Sequence, residues 1–345
     1  LFAGTAFAAT TSLPHLPGNS FGRSPLMKTK VADVIADFLA EKDIRHAFGI
    51  IGSGIAHIFD SIGRKGFTEI VCVHHEQAAA MAMQTYYRVS GTVTATLATT
   101  GAGSLNAVTG VASAWMDSIP GLIISSNEHS KHTRDDNPLR AWGIQGFDSV
   151  EMVKKVTKSA VRVTDPKRIR YELEAAYHLA TTGRPGPCWI DVPMDVQASV
   201  VETTELVRFV PEAQADHPAA ISPAVIEEIR SALASARRPL VWLGHGIRLS
   251  GAVELLKPLM ENVRVPYLVS WAGIDMVDSN HPLLYGRAGV YGQRCANFVL
   301  QNCDFLLTIG TRLAIPQIGY DISELARDAK IFVVDVDLDE LNKYK

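Results

Sequence analysis

The chain has 345 residues, of which 47% are hydrophobic and 20% are charged, and its formal net charge is −3. This length is sufficient for two domains, and the composition is too apolar for a disordered chain. The small negative charge excludes an electrostatic footprint for nucleic acid, and no uninterrupted apolar stretch is long enough to span a bilayer.

Short apolar runs alternate with amphipathic segments over the first half of the chain. We expect residues 1–26, which contain Pro and Gly, to be a poorly ordered extension. The runs that predict strands are residues 46–50, 69–73, 92–99, 121–126 and 186–193. Helical patterns lie between them, so residues 27–198 are predicted to form a doubly wound α/β domain with a parallel sheet.

Charges and prolines interrupt this alternation at residues 199–221, which we interpret as a linker. The alternation then resumes, with a predicted strand and turn at 239–247, strands at 265–270 and 329–337, and a helix followed by a strand within 296–313. We therefore predict a second doubly wound, Rossmann-like domain over residues 222–345, incomplete at its carboxyl end.

The cysteines are widely spaced and include no CxxC pair: Cys72, Cys188, Cys295 and Cys303. Each lies in an apolar segment with a strand-like or helix-like pattern. This usage indicates reduced core thiols and predicts a cytoplasmic protein.

His74, His75 and Glu76 follow the predicted strand 69–73 and open a helix. Adjacent histidines on a strand point to opposite faces, and no nearby residues complete a metal-ligand set, which disfavours a metal site. Because ligands of parallel sheets lie beyond the carboxyl ends of the strands, Glu76 is a candidate general base. The alternative is a structural glutamate that the helix dipole favours in the first turn. The residue pattern alone leaves these two interpretations equal.

Two glycine turns are further candidates for binding. Gly101-Ala102-Gly103 follows a buried strand and opens a helix, where glycines permit positive φ and close approach of backbone to a ligand. Gly244-His245-Gly246 has the same form in the second domain, where a helix N-terminus could receive a phosphate. No GxGxxG or GK[ST] motif occurs, so a tight turn remains the alternative in both places.

Three segments, in this order, resemble one known domain: HHEQAAAMAMQTYYRVSG, TTGAGSLNAVTGVASAWMDSIPGLIIS and TTGRPGPCWIDVPMDV. They are similar to the pyrimidine-binding domain of thiamine-diphosphate (ThDP) enzymes of the acetolactate synthase group. The second-domain segments GHGIRLSGA and GVYGQRCANFVLQNCDFLLTIGTRL resemble the central domain of the same group. The resemblance covers about residues 28–340.

The resemblance assigns roles to residues of the first domain. It implies that Glu76 is the catalytic residue and hydrogen-bonds N1′ of the ThDP aminopyrimidine. It implies further cofactor contacts at Gly52, Ser53, Gly54, Thr100, Gly101, Gly103 and Asn106. Gln145 and Lys158 match substrate-side residues, although Gly146 replaces a family Glu and Ile144 a family Phe. The acceptor substrate therefore stays open.

The central domain of acetolactate synthases carries FAD. The resemblance places the corresponding contacts at Gly244, His245, Gly246, Gly289, Gly310 and Arg312, but LAIPQIGY replaces the family's FDDRVTG stretch, so FAD is one of two alternatives. In the family a third domain with a GDG motif holds the diphosphate and Mg²⁺. We expect the Mg²⁺ ligands to lie outside this chain, either on a separate diphosphate-binding subunit or in a segment lost by truncation.

The implied function is that of a component of a ThDP-dependent 2-oxo acid carboligase or decarboxylase, a transferase or lyase. Such an enzyme forms a ThDP-bound acyl anion equivalent from pyruvate and transfers it to a carbonyl acceptor. The resemblance implies a homodimer or tetramer with a shared active site. The alternative is a non-catalytic subunit that binds a cofactor or partner, or a fragment that is inactive without its diphosphate-binding domain.

Overall fold

The computed structural model describes residues 28–133, 136–211 and 221–343, so the predicted extension at 1–26 lies outside the described residues. They form one parallel sheet of six strands, one parallel sheet of four strands and a two-stranded antiparallel pair. This confirms the predicted fold class, two α/β domains with parallel sheets. No helix in this part of the chain is long and apolar enough to cross a membrane.

Strands and helices alternate along the chain. The strands are β1 Lys28–Lys30, β2 His46–Gly49, β3 Glu69–Cys72, β4 Ala95–Ala98, β5 Gly121–Asn127, β6 Ser159–Arg162, β7 Pro187–Pro193, β8 Val200–Glu202, β9 Pro239–Leu243, β10 Tyr267–Val269, β11 Phe305–Ile309 and β12 Lys330–Val334. The helices are α1 Val31–Glu41, α2 Ala56–Lys65, α3 Glu76–Ser90, α4 Ala102–Met116, α5 Ser149–Val153, α6 Ile169–Thr181, α7 Met194–Ala198, α8 Pro223–Ser235, α9 Gly246–Leu249, α10 Leu256–Asn262, α11 Arg294–Asn302, α12 Ile315–Ile318 and α13 Leu338–Asn342.

The first sheet has the strand order β3-β2-β4-β5-β7-β6 and all of its strands are parallel. Every residue of the central strands β4, β5 and β7 is buried, because helices cover both faces. Leu122 and Ile124 of β5 join one core with α1, α2 and α6, while Ile123 joins the opposite core with α3 and α4. This alternation explains why the strands are apolar on both faces.

The second sheet has the order β10-β9-β11-β12 and is also parallel. Val241 and Leu243 of β9 form a core with α9 and α10, and Leu240 and Trp242 form another with α11. In both sheets the carboxyl ends of the strands therefore open onto the loops that begin the following helices, where ligands of such folds bind.

The segment predicted as a linker begins inside the first domain. Residues Val200–Glu202 form β8, which pairs antiparallel with β1. Further on, the ring of Phe209 lies 5.5 Å from that of Tyr171 and 5.4 Å from that of His178, both on α6. Residues 200–209 therefore lie against the first domain, and 212–220 are outside the described residues.

The cysteines have two environments. All four are unpaired, and Cys188 and Cys303 are buried as predicted. Cys72 and Cys295 are exposed, so the prediction of core thiols is wrong for these two. Cys72 is the last residue of β3, an edge strand, whose residues are less covered than those of the central strands.

Arg184 joins the two domains. Its Nη1 donates to Asp337 Oδ2 at 2.7 Å and to Glu340 Oε1 at 3.0 Å, and its Nε donates to Ser118 Oγ at 2.9 Å. Partial burial raises the pKa of the Asp337 carboxyl, but the hydrogen bond and charge of Arg184, together with backbone amides of α13, outweigh burial, so the pKa lies below its usual range. The ionised pair therefore stabilises the contact between the domains.

We expect Arg184→Ala to lower the free energy of unfolding by about 1–2 kcal/mol near neutral pH, because it removes charge-assisted hydrogen bonds that are partly shielded from water. Since the folded-state pKa of Asp337 is lowered, this stabilisation is present above the unfolded value of about 4 and is lost as the pH falls through the folded value. Denaturant unfolding at several pH values measures both effects. Arg327→Ala, which removes an exposed pair with Glu324, is the matched control, and an equal loss in both variants contradicts the prediction.

Candidate functional site

Glu76 is the first residue of α3, at the carboxyl edge of the first sheet. Its side chain is buried, with 7% of the residue exposed, and Asn106 Nδ2 of α4 donates to its Oε2 at 2.9 Å. His74 and His75 are exposed beside it. His75 caps α3, since its Nδ1 accepts from the Gln77 amide at 3.2 Å. The helix start thus explains the placement of His75, and Glu76 is the buried polar group of the segment.

The glycine loop after β4 lies beside the Glu76 carboxylate. Gly101 has φ +72° and precedes α4. A Cβ on Gly103 would lie 2.6 Å from Thr99 Cγ2 and 3.0 Å from Glu76 Oε1. Only glycine therefore fits at residue 103, and its missing side chain leaves Oε1 of Glu76 uncovered on that side.

The turn Gly52-Ser53-Gly54 lies directly against the end of β4. A Cβ on Gly52 would come within 2.4 Å of Thr99 Oγ1, and one on Gly54 within 2.2 Å of Thr100 Oγ1. The Thr100 hydroxyl in turn lies 3.0 Å from Ser126 Oγ at the end of β5. The structure therefore brings the predicted cofactor residues of the first domain together around one edge of the sheet.

Gln145 lies across the same glycine loop. Its Nε2 donates to the Thr100 carbonyl oxygen at 3.1 Å, and a Cβ on Gly101 would lie 2.8 Å from its Cγ. The predicted substrate-side residue is thus next to the predicted cofactor residues.

Lys158 is not near them. It lies immediately before β6, which is the outermost strand on the side of the sheet away from β3. Its Nζ donates to the Thr182 carbonyl oxygen at 2.7 Å. Burial lowers the pKa of its ammonium group. Within this chain the structure does not bring Lys158 to the pocket of Glu76.

The glycines predicted for FAD in the second domain contact each other. A Cβ on Gly244 would lie 2.0 Å from the carbonyl oxygen of Gly310, whose φ is +60°. The Gly246 amide donates to that same oxygen at 2.9 Å. Contact between the two loops, after β9 and β11, therefore suffices to explain all three glycines.

The other residues predicted for FAD lie around these loops. His245 sits next to the domain interface, where burial, followed by the charges of Arg88 and Arg248, lowers the pKa of its imidazole. Arg312 donates to the carbonyl oxygen of Met116, at the end of α4, at 3.2 Å. Gly289 has φ +105° and exchanges two hydrogen bonds with the side chain of Asn297 on α11.

The sequence analysis missed a buried polar network, which lies on β5, β7 and the residues next to them. Asp191 of β7 is fully buried, and its carboxylate accepts from Ser125 Oγ and Asn127 Nδ2, each at 2.7 Å. Arg162 Nε lies 3.4 Å from Asp191 Oδ2, and Arg162 Nη2 donates to Asp148 Oδ1 at 2.6 Å. Burial raises the pKa of Asp191, and these donors act against that rise. We call these five residues the Asp191 network; its sequence signal is a carboxylate within the apolar strand PCWIDVP.

Glu128 is the second residue that the sequence analysis missed. It directly follows β5, is 8% exposed, and accepts hydrogen bonds from the turn that carries Gln145. Its signal is a carboxylate at the carboxyl end of a buried strand, the same position that singles out Glu76. Elsewhere in the described ranges, no group of three His, Cys, Asp or Glu side chains could hold a metal ion.

Comparison with known proteins identifies both domains. The family model for the N-terminal TPP binding domain of thiamine pyrophosphate enzymes matches residues 29–159, and that for their central domain matches residues 226–345. Thiamine pyrophosphate is another name for ThDP. The first match contains Glu76 and the glycine loop, and the second contains the loops at Gly244 and Gly310.

Curated relatives agree with these matches. The chain is 31% identical to the "Probable acetolactate synthase large subunit" of Methanocaldococcus jannaschii, over 91% of this chain and 52% of the relative. It is 30% identical to the acetolactate synthase isozyme 1 large subunit of Escherichia coli, over 91% of this chain and 54% of the relative. It is 28% identical to the acetolactate synthase large subunit of Lactococcus lactis, over 91% and 53%. The chain thus spans about half the length of these relatives, and it belongs to the acetolactate synthase-like thiamine pyrophosphate enzymes, of which it carries the N-terminal TPP binding domain and the central domain.

Proposed function

We propose that this chain is a component of a ThDP-dependent carboligase or decarboxylase that acts on pyruvate or a similar 2-oxo acid. The observation that carries the proposal is the geometry of Glu76, a buried carboxylate that Asn106 holds at 2.9 Å and that faces the space left by Gly103. The names of the relatives support an acetolactate synthase-like activity.

The residues around Glu76 fit the aminopyrimidine of ThDP. Bound ThDP supplies an electron sink for making or breaking the carbon–carbon bond next to a carbonyl group. The Glu76 carboxylate would hold a proton at N1′, and Asn106 would orient the carboxylate by occupying Oε2. Gly103 would let the ring approach the backbone of the loop, because it places no side chain beside Glu76 Oε1.

We propose that the diphosphate and Mg²⁺ are held by residues outside this chain, and that the active site is shared within a homodimer or tetramer. Exposed apolar residues on α4 support a partner chain there: Leu105, in the first turn beside the glycine loop, and Trp115 and Met116, at the other end of the helix. Light scattering of the purified chain tests this part, and a monomer at micromolar concentration contradicts it.

FAD on the central domain is a separable proposal. Its support is the position of the loops at Gly244 and Gly310, at the carboxyl edge of the second sheet. A flavin absorbance spectrum of the purified protein tests it, and a colourless protein that takes up no added FAD contradicts it.

The proposed function predicts that ThDP with Mg²⁺ binds tightly only when residues that hold its diphosphate are supplied together with this chain. Calorimetric titration is carried out on the chain alone and on its mixture with a polypeptide that carries the remaining half of an acetolactate synthase relative. We expect binding in the mixture, and pyruvate turnover there. Binding without turnover favours the cofactor-binding subunit, and absence of binding in both samples overturns the proposal.

A further inference from the structure

Residues 142–148 form a closed turn that holds Gln145 over the glycine loop; we call it the Gln145 turn. Trp142 and Gly146 exchange two backbone hydrogen bonds of 2.6 and 2.7 Å across it. At its tip, Gln145 Nε2 donates to the Thr100 carbonyl oxygen at 3.1 Å. The position of Gln145, and of the loop that it contacts, therefore depends on what fixes the turn.

Glu128 fixes the turn from inside. Its Oε1 accepts from the amides of Ile144 and Gln145, at 3.2 and 3.3 Å. A Cβ on Gly143, whose φ is +56°, would lie 2.5 Å from Oε2, and a Cβ on Gly146 would lie 2.6 Å from Glu128 Cγ. Two glycines thus make room for the carboxylate, and two consecutive amides point at it.

The negative charge matters to this arrangement. A carboxylate with 8% of its residue exposed costs free energy unless donors compensate it, and charge-assisted hydrogen bonds are stronger than neutral ones. A glutamine at 128 would keep one acceptor oxygen, but its NH₂ group would then face the backbone of Gly143. We therefore expect the neutral side chain to hold the turn less firmly.

Glu128 connects to Glu76 only through other residues. The contacts run from Glu128 to Gln145, and from Gln145 to Thr100 and Gly101. The same loop continues to Gly103, which faces Glu76 Oε1. A shift of the Gln145 turn would therefore move the glycine loop that lines the proposed pyrimidine site. The turn itself would make no contact with the Glu76 carboxylate.

We propose that Glu128 is a positioning residue that holds Gln145 across the glycine loop and so shapes the wall of the site opposite Glu76. The part of this inference that concerns ThDP rests on the proposed function. The part that concerns the turn does not, because the contacts are made within the chain.

Hydrogen exchange of the ligand-free chain tests the turn. We expect Glu128→Ala to speed exchange of the Ile144 and Gln145 amides by about ten-fold or more, and Glu128→Gln to recover part of that loss, because it keeps one acceptor. Gly143→Ala, which crowds the same carboxylate, should also speed it. Glu151→Gln, which removes an exposed charge on the neighbouring helix α5, is the control. Unchanged exchange at residues 144 and 145 in both Glu128 variants overturns the proposal.

A double-mutant cycle on ThDP affinity tests the link to the site. In the mixture that binds ThDP, we expect Glu128→Gln and Gln145→Ala each to weaken binding by about ten-fold, and the double variant to be no weaker than either alone. Additive effects overturn the proposed route through Gln145. If the parent mixture does not bind ThDP, the proposed function fails, while the exchange experiment still decides the role of Glu128 in the turn.

Discussion

Glu76→Gln is expected to leave the fold intact and to reduce pyruvate turnover by at least about 100-fold in any assembly in which the parent chain is active. A glutamine retains the shape of the side chain and an acceptor for Asn106, which donates to Oε2 at 2.9 Å. It cannot hold a proton as a carboxylate does, so it would not stabilise the protonated aminopyrimidine. Initial rates of pyruvate consumption, measured beside the denaturant midpoint of each variant, separate the chemical effect from an effect on folding.

Glu69→Gln is the matched control for Glu76→Gln. Glu69 is the first residue of β3, the strand that leads to Glu76, and its side chain is exposed. We expect the rate of this variant to stay within two-fold of the parent. Full activity of Glu76→Gln would remove the assignment of Glu76 as the catalytic residue.

Asp191→Ala is expected to cause a large loss of stability, about 3–5 kcal/mol in the free energy of unfolding. The substitution leaves Ser125 without its acceptor, Asn127 with one of its two acceptors and Arg162 with one carboxylate fewer, in a place that water does not reach. Denaturant unfolding measures the loss. Asp191→Asn, which can still accept a hydrogen bond, should lose less.

Asp37→Asn is the control for the Asp191 prediction. It removes an exposed carboxylate that pairs with Lys65 at 2.7 Å, and such pairs contribute at most about 1 kcal/mol. If Asp191→Ala costs no more than Asp37→Asn, the Asp191 network is not a source of stability.

The sequence predicted the sheets well because their strands are long enough, and apolar enough, to carry a pattern. The runs at 46–50, 121–126 and 186–193 correspond to β2, β5 and β7 within about one residue at each end. β1 and β8 were missed because each has three residues and is stabilised by its pairing with the other, across most of the domain. A three-residue strand has no detectable period, and long-range pairing is not visible in a local window.

The sequence predicted only part of the site. Topology places Glu76 and the glycine loop at one edge of the sheet, and the structure brings them together. Lys158 was singled out by local resemblance, but it directly precedes β6, so it lies at the amino end of a strand, whereas Glu76 follows the carboxyl end of one. Glu128 and Asp191 escaped prediction because their importance lies in burial and partners, which residue type alone does not reveal.

The pairing of β1 with β8 has a consequence for how the chain is made. β1 is the first described element of the first domain, and its partner, Val200–Glu202, is the last strand of that domain. During synthesis, therefore, β1 has no partner until the ribosome has released almost the whole domain. Contacts so distant along the chain close slowly, because the loop between them must first be ordered. Completion of the first domain thus overlaps with the appearance of the second, and the unpaired β1 is exposed to wrong pairing for most of that time.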